Sequence, residues 1–97
     1  VPSSGPAELD LLRIVPNPSL GPVRMEFLLP RSAHVRIDVY DTQGRQVARP
    51  LDAVRSPGRH EVPWDVDRGT VPPGIYFVRF AADEFIATRR VALLNSK

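Results

Sequence analysis

Apolar and polar residues alternate one for one along much of this chain. From Val23 to Leu29, Val23, Met25, Phe27 and Leu29 share one face, while Arg24 and Glu26 share the other. From Ala33 to Tyr40, Val35, Ile37 and Val39 oppose His34, Arg36 and Asp38. Period two sends successive side chains to opposite faces of a strand, so each segment buries one face and wets the other. Ile75 to Ala81 is apolar on both faces, with Tyr76, Val78 and Phe80 against Ile75 and Phe77, the pattern of a central strand. Four further segments read as strands: Leu9 to Val15, Arg45 to Leu51 with Val47 inward, Arg59 to Trp64 with His60, Val62 and Trp64 on one face, and Phe85 to Leu94. Eleven prolines and six glycines, spread throughout, leave no window for a helix.

The breaks between these segments carry turn chemistry. Pro16-Asn17-Pro18 ends the first strand. Asp41-Thr42-Gln43-Gly44 predicts a turn in which the Asp side chain bonds its own backbone and Gly44 takes a positive φ in a bulge. Ser56-Pro57-Gly58 and Pro72-Pro73-Gly74 each read as a type II turn, Pro presetting φ and Gly supplying the left-handed position. Asp65 to Thr70 is a polar loop, and Ala82-Asp83-Glu84 a short turn. Pro63 has no N–H for a ladder, which puts Arg59 to Trp64 at a sheet edge or on a bulge. Tyr76, just after the turn that opens the most apolar strand, matches a tyrosine corner, its hydroxyl bonding the backbone upstream. Seven strands at this spacing predict an all-β fold, a seven-stranded antiparallel immunoglobulin-like β-sandwich with Val35, Ile37, Val39, Tyr76, Val78 and Phe80 buried.

Length and composition narrow the picture. Ninety-seven residues is one domain's worth of chain. Residues 1–8, including Pro2-Ser3-Ser4-Gly5-Pro6, read as an interdomain linker, and residues 9–97 as the sandwich. The chain begins at Val1, and we expect it to be a piece of a longer exported polypeptide. No apolar run is long enough for a transmembrane segment. With no Cys, a disulfide framework, a thiolate metal site and a Cys nucleophile are all excluded. Twelve of the thirteen basic residues are Arg, for a formal net charge of +2. They are interleaved with eleven acids and form no run, which argues against a nucleic-acid surface. Lys97 is the only Lys and the last residue, so an isopeptide staple between core strands is not expected.

Candidate chemistry is sparse. His34 and His60 form no metal-ligand pair; His34 falls on a wet face, and His60 has the parity of a partly buried, hydrogen-bonded side chain. No nucleophile elbow, phosphate loop or paired-carboxylate context is present, so neither an enzyme nor a cofactor is expected. Asp65-Val66-Asp67, joined by Asp83-Glu84, could hold one edge of a Ca²⁺ site, but a solvated loop is the simpler reading and no metal is expected. Trp64, Tyr76, Phe27 and Phe80 have core parity, leaving Tyr40 and Phe77 as the one exposed aromatic pair.

Taken in order, Pro16-Asn17-Pro18, Leu28-Leu29-Pro30, Val39-Tyr40-Asp41-Thr42-Gln43-Gly44-Arg45-Gln46-Val47-Ala48, Pro57-Gly58-Arg59-His60 with Trp64-Asp65, Val71-Pro72-Pro73-Gly74-Ile75-Tyr76-Phe77 and Ala87-Thr88-Arg89-Arg90-Val91 resemble the C-terminal sorting domain of type IX secretion cargo. The same pattern is similar to the immunoglobulin-like domain of the flagellar hook-capping protein. The resemblance covers nearly all of the chain after the linker. It implies a non-catalytic module of a secreted or surface protein whose partner is protein, either the secretion machinery or neighbouring domains. A structural or ligand-binding accessory domain of an extracellular enzyme or hook protein is the alternative. As an isolated domain a monomer is expected. Pro16, Asn17, Pro18, Asp41, Gly44, Arg45, Gly74 and Tyr76 are the structural positions of the pattern. Partner recognition is expected on the last hairpin, at Arg79, Arg89 and Arg90; Arg90 should point outward, because Arg89 shares parity with Val91 and Leu93.

Overall fold

A computed structural model describes residues 13–66, 71–83 and 85–94. They form seven strands: β1 (Arg13–Val15), β2 (Val23–Leu29), β3 (Ala33–Tyr40), β4 (Gln46–Arg55), β5 (Gly58–Trp64), β6 (Gly74–Ala82) and β7 (Phe85–Leu93). Two antiparallel sheets result, one ordered β1-β2-β5 and the other β4-β3-β6-β7. The immunoglobulin-like sandwich expected from the alternation is therefore the fold. The upstream part of the predicted first strand, Leu9 to Leu12, lies outside the described residues.

The core is what the period-two pattern requires. Val35, Ile37, Val39 and Val78 are fully buried, as are Phe80 and Tyr76 within a few per cent. Met25 and Phe27 from the smaller sheet meet them, and Phe27 packs on Phe80 with ring centroids 5.0 Å apart. Burying each such side chain contributes about 1.5–3 kcal/mol from its apolar area. β6 is interior, between β3 and β7, as its two apolar faces predict. β5 lies at an edge, so Pro63, opposite Arg24, costs no ladder hydrogen bond on its open side.

β4 differs from the sequence reading. It runs four residues past Leu51, to Arg55, because Asp52 to Arg55 continue the ladder against Ala33 to Arg36. The register slips between Ile37 and Val39 and again between Val39 and Tyr40. These bulges accommodate Pro50 in the ladder, on a strand that is itself an edge. They also change the face read as wet: Asp38 is only 3% exposed. Its carboxylate accepts from Arg49 Nε at 2.7 Å and lies 3.4 Å from Arg36 Nε. Two guanidiniums, rather than water, cover it.

The turns bear out the glycine logic in part. Gly44 has φ +84°, and its N–H donates to Asp41 O at 3.0 Å. Gly58 has φ +119°, at the crossing from one sheet to the other. Gly74 is positive too, at +154°, past the roughly +80° of a type II turn but still where a side chain is rarely found.

Candidate functional site

The last hairpin, β6 and β7, holds the residues to which the sequence assigns recognition. Its register pairs Phe77 with Arg90, Val78 with Arg89, and Arg79 with Thr88. Val78 is buried, so its partner Arg89 leans to the inner side and is half-buried; Arg90 is exposed on the outer face. Arg79 is half-buried on that same outer face. The structure thus brings Arg79 and Arg90 together as diagonal neighbours and sends Arg89 elsewhere.

Tyr40 and Phe77 stand directly opposite each other on β3 and β6. Both are half-buried rather than exposed, since a four-stranded sheet flanks them with side chains on both sides. Across the sheet, Tyr40, Phe77 and Arg90 form one row. Sequence alone places these residues at outer parity but not beside one another, because β3 and β6 meet only in the tertiary fold.

The open edge of β7 is held by the Pro16-Asn17-Pro18 segment, in which both prolyl bonds are cis. Asn17 Nδ2 donates to Arg90 O at 2.9 Å, and Ala92 N donates to Asn17 Oδ1 at 3.1 Å. Ser19 continues the attachment: its N–H donates to Ala92 O at 2.9 Å, and Leu94 N donates to Ser19 O at 2.7 Å. The Asn17 carboxamide takes the place of a peptide group from a neighbouring strand. This satisfies backbone groups on an edge that would otherwise template association. The sequence offered no sign of it beyond an Asn that two prolines withdraw from regular structure.

The remaining motif residues act locally. Tyr76 Oη donates to Pro72 O at 2.6 Å, four residues upstream, as the tyrosine corner predicts. Asp41 Oδ1 accepts from Gln43 N at 2.9 Å and Arg45 N at 3.0 Å, while Arg45 Nε reaches Oδ2 at 3.0 Å. The Arg45 N–H holds the Asp41 carboxyl below its ordinary range; burial opposes this, and the Gln43 N–H and Arg45 side chain add to it. The Arg49 guanidinium is pushed up, chiefly by its hydrogen bond to Asp38.

Both histidines have partners. His34 Nε2 is 2.6 Å from Asp52 Oδ1 on the wet face. His60 Nε2 donates to Ser56 O at 2.7 Å, and its ring stacks on Phe27 at 5.3 Å. An apolar groove of about 680 Å³ opens beside Leu28, Leu29, Phe80 and Phe85, with Arg31 and Asp83 as its charged members. No group of three or more metal-ligating side chains occurs among the described residues. Asp67 and Glu84, half of the Ca²⁺ possibility, lie outside them.

No curated protein and no solved structure matches the chain at a significant level. A family model does, the secretion system C-terminal sorting domain, over residues 13–93, the whole sandwich from β1 to β7. Such domains interact with secretion machinery and mark proteins for export to the cell surface or extracellular space. The chain belongs to the family of type IX secretion C-terminal sorting domains.

Proposed function

We propose that this domain is a non-catalytic address that delivers its parent protein to the cell surface, read by the secretion machinery through the outer face of the β6–β7 hairpin. The observation that carries the reading is the build of that hairpin. β6 is locked between two strands, β7 is tied down by Asn17 and Ser19, and Arg79 and Arg90 stand on one outer face. A folded address needs such an exposed feature on a rigid support. We read the module as non-catalytic because the histidines serve local hydrogen bonds, His34 to Asp52 and His60 to the backbone carbonyl of Ser56.

The test is to fuse the whole chain to the C-terminus of a periplasmic reporter in a host with type IX secretion. The intact fusion should reach the surface, and Arg90→Glu should reduce surface delivery while the domain still melts cooperatively. A folded, intact fusion that stays in the periplasm would overturn the sorting reading. Unchanged delivery of Arg90→Glu would remove the hairpin's outer face from recognition.

A further inference from the structure

We infer that Arg79 and Arg90, with Phe77 and Tyr40 beside them, form a receptor for an extended acidic segment of a protein partner, taking two carboxylates spaced two residues apart. This deepens the reading of the hairpin's outer face and rests on it.

The charge on this face is unbalanced. Its strands carry Arg36, Arg49, Arg79 and Arg90 against Asp38 and Asp52, four guanidiniums to two carboxylates. Both carboxylates are engaged: Asp38 by Arg36 and Arg49, Asp52 by His34 and Arg49. Asp83 lies at the far end, beside His34 and Arg36. Arg79 and Arg90 make no side-chain ion pair among the described residues. Arg31, Arg55 and Arg59 also lack a carboxylate there, but no two of them are neighbours in a strand ladder. The register makes Arg79 and Arg90 diagonal neighbours; Asp38, directly opposite Arg79 on β3, is held by Arg36 and Arg49.

Their spacing selects the partner. Diagonal neighbours on antiparallel strands stand about 7–8 Å apart. Carboxylates at alternate positions of an extended strand repeat every ~6.8 Å on one face. A partner strand with acidic residues two apart could therefore engage both guanidiniums at once, each bond charge-assisted. Phe77, beside both, offers half-buried aromatic surface, extended by Tyr40 on β3 and by Ile75, which is 40% exposed. Tyr and Arg around an apolar centre is the composition that dominates protein–protein binding energy.

The test uses the full chain and a fluorescein-labelled (Glu-Thr)5 peptide, followed by fluorescence anisotropy. Peptides with the same five Glu in one block, a (Lys-Thr)5 peptide and dextran sulfate serve as the other arms. We expect (Glu-Thr)5 to bind, with affinity falling roughly two- to fivefold for Arg79→Glu and for Arg90→Glu. Arg59→Glu, exposed on β5 of the other sheet, should leave it unchanged after equal melting is verified. Phe77→Ser should weaken binding without altering its salt dependence. Equal binding of the blocked peptide or dextran sulfate, or equal losses in all three Arg variants, would reduce the effect to net charge and overturn the receptor. Export of the Arg90→Glu fusion separates the two readings. Specific peptide binding with unchanged export retains the receptor and removes its sorting role, whereas lost export without peptide binding retains the hairpin's role and removes the acidic partner.

Discussion

Asn17 bonds the backbone of β7 at two points that no described strand reaches, so Asn17→Ala tests the edge directly. The substitution deletes the bond to Arg90 O at 2.9 Å and the bond from Ala92 N at 3.1 Å. A typical net hydrogen bond stabilises by about 0.5–1.5 kcal/mol. Both of these are exposed, so water can replace the lost partners and the lower end applies; together they contribute about 1 kcal/mol. For a domain of this size that corresponds to a fall in Tm of roughly 4–8 °C. Asn17→Asp should do no better than Ala. It keeps an acceptor for Ala92 N–H but places a carboxylate oxygen against the Arg90 carbonyl. Scanning calorimetry gives the stability, and hydrogen exchange resolved at single amides gives the location. Ala92 N–H should lose protection in Asn17→Ala and keep more of it in Asn17→Asp, while Leu94 N–H, bonded to Ser19 O at 2.7 Å, should keep most of its own in both. An unchanged Tm together with unchanged Ala92 protection would refute the clamp.

Gly44→Val should lower Tm through the backbone alone. A Cβ there meets nothing within 4 Å, but φ is +84°, and a side chain in that region costs on the order of 1–2 kcal/mol. Gly74→Val should lower Tm as well, because side chains rarely adopt φ +154° even though the nearest atom, Tyr76 Cε2, is an ordinary 4.0 Å away; a variant that melts like wild type would break the argument from φ. Asp41→Asn should destabilise at pH 7. The Asp41 carboxyl sits below its ordinary 3.8 in the folded state, so its contribution is complete above that value and disappears as pH falls through the lower folded one. Urea unfolding at pH 7 and near pH 3 should therefore show the gap to wild type narrowing in acid, and a gap that widens would reverse the assignment.

Much of the fold was legible because side-chain alternation is a local consequence of strand geometry. Val35, Ile37 and Val39 must share a face whatever strand lies next to them, and burying that face is the main stabilisation on offer. Turn chemistry is local as well: Asp41 bonds residues two and four positions on, and Tyr76 bonds Pro72 four positions back. The misjudged positions depended on partners distant in sequence. Asp38 has the parity of a wet residue, yet bulges against β4 bring Arg49 over it. Tyr40 and Phe77, 37 positions apart by number, become neighbours only when β6 enters the sheet beside β3.

The candidate site divides in the same way. That Arg90 points outward and Arg89 inward follows from parity, and the structure agrees. That Arg90 stands beside Phe77 and diagonal to Arg79 follows from register, which turn length and core packing decide together. Asn17 reaches Arg90 O across 73 positions of sequence and Ala92 N across 75. Period, and the local bonds of Asp41 and Tyr76, were therefore determined by the sequence by itself, since they depend on atoms within a few residues. Which edge is guarded, which charges go unpaired and which aromatics meet were decided only by the tertiary structure, because hydrophobic burial is non-directional and selects faces, while hydrogen bonds and ion pairs require atoms that chain distance alone does not bring together.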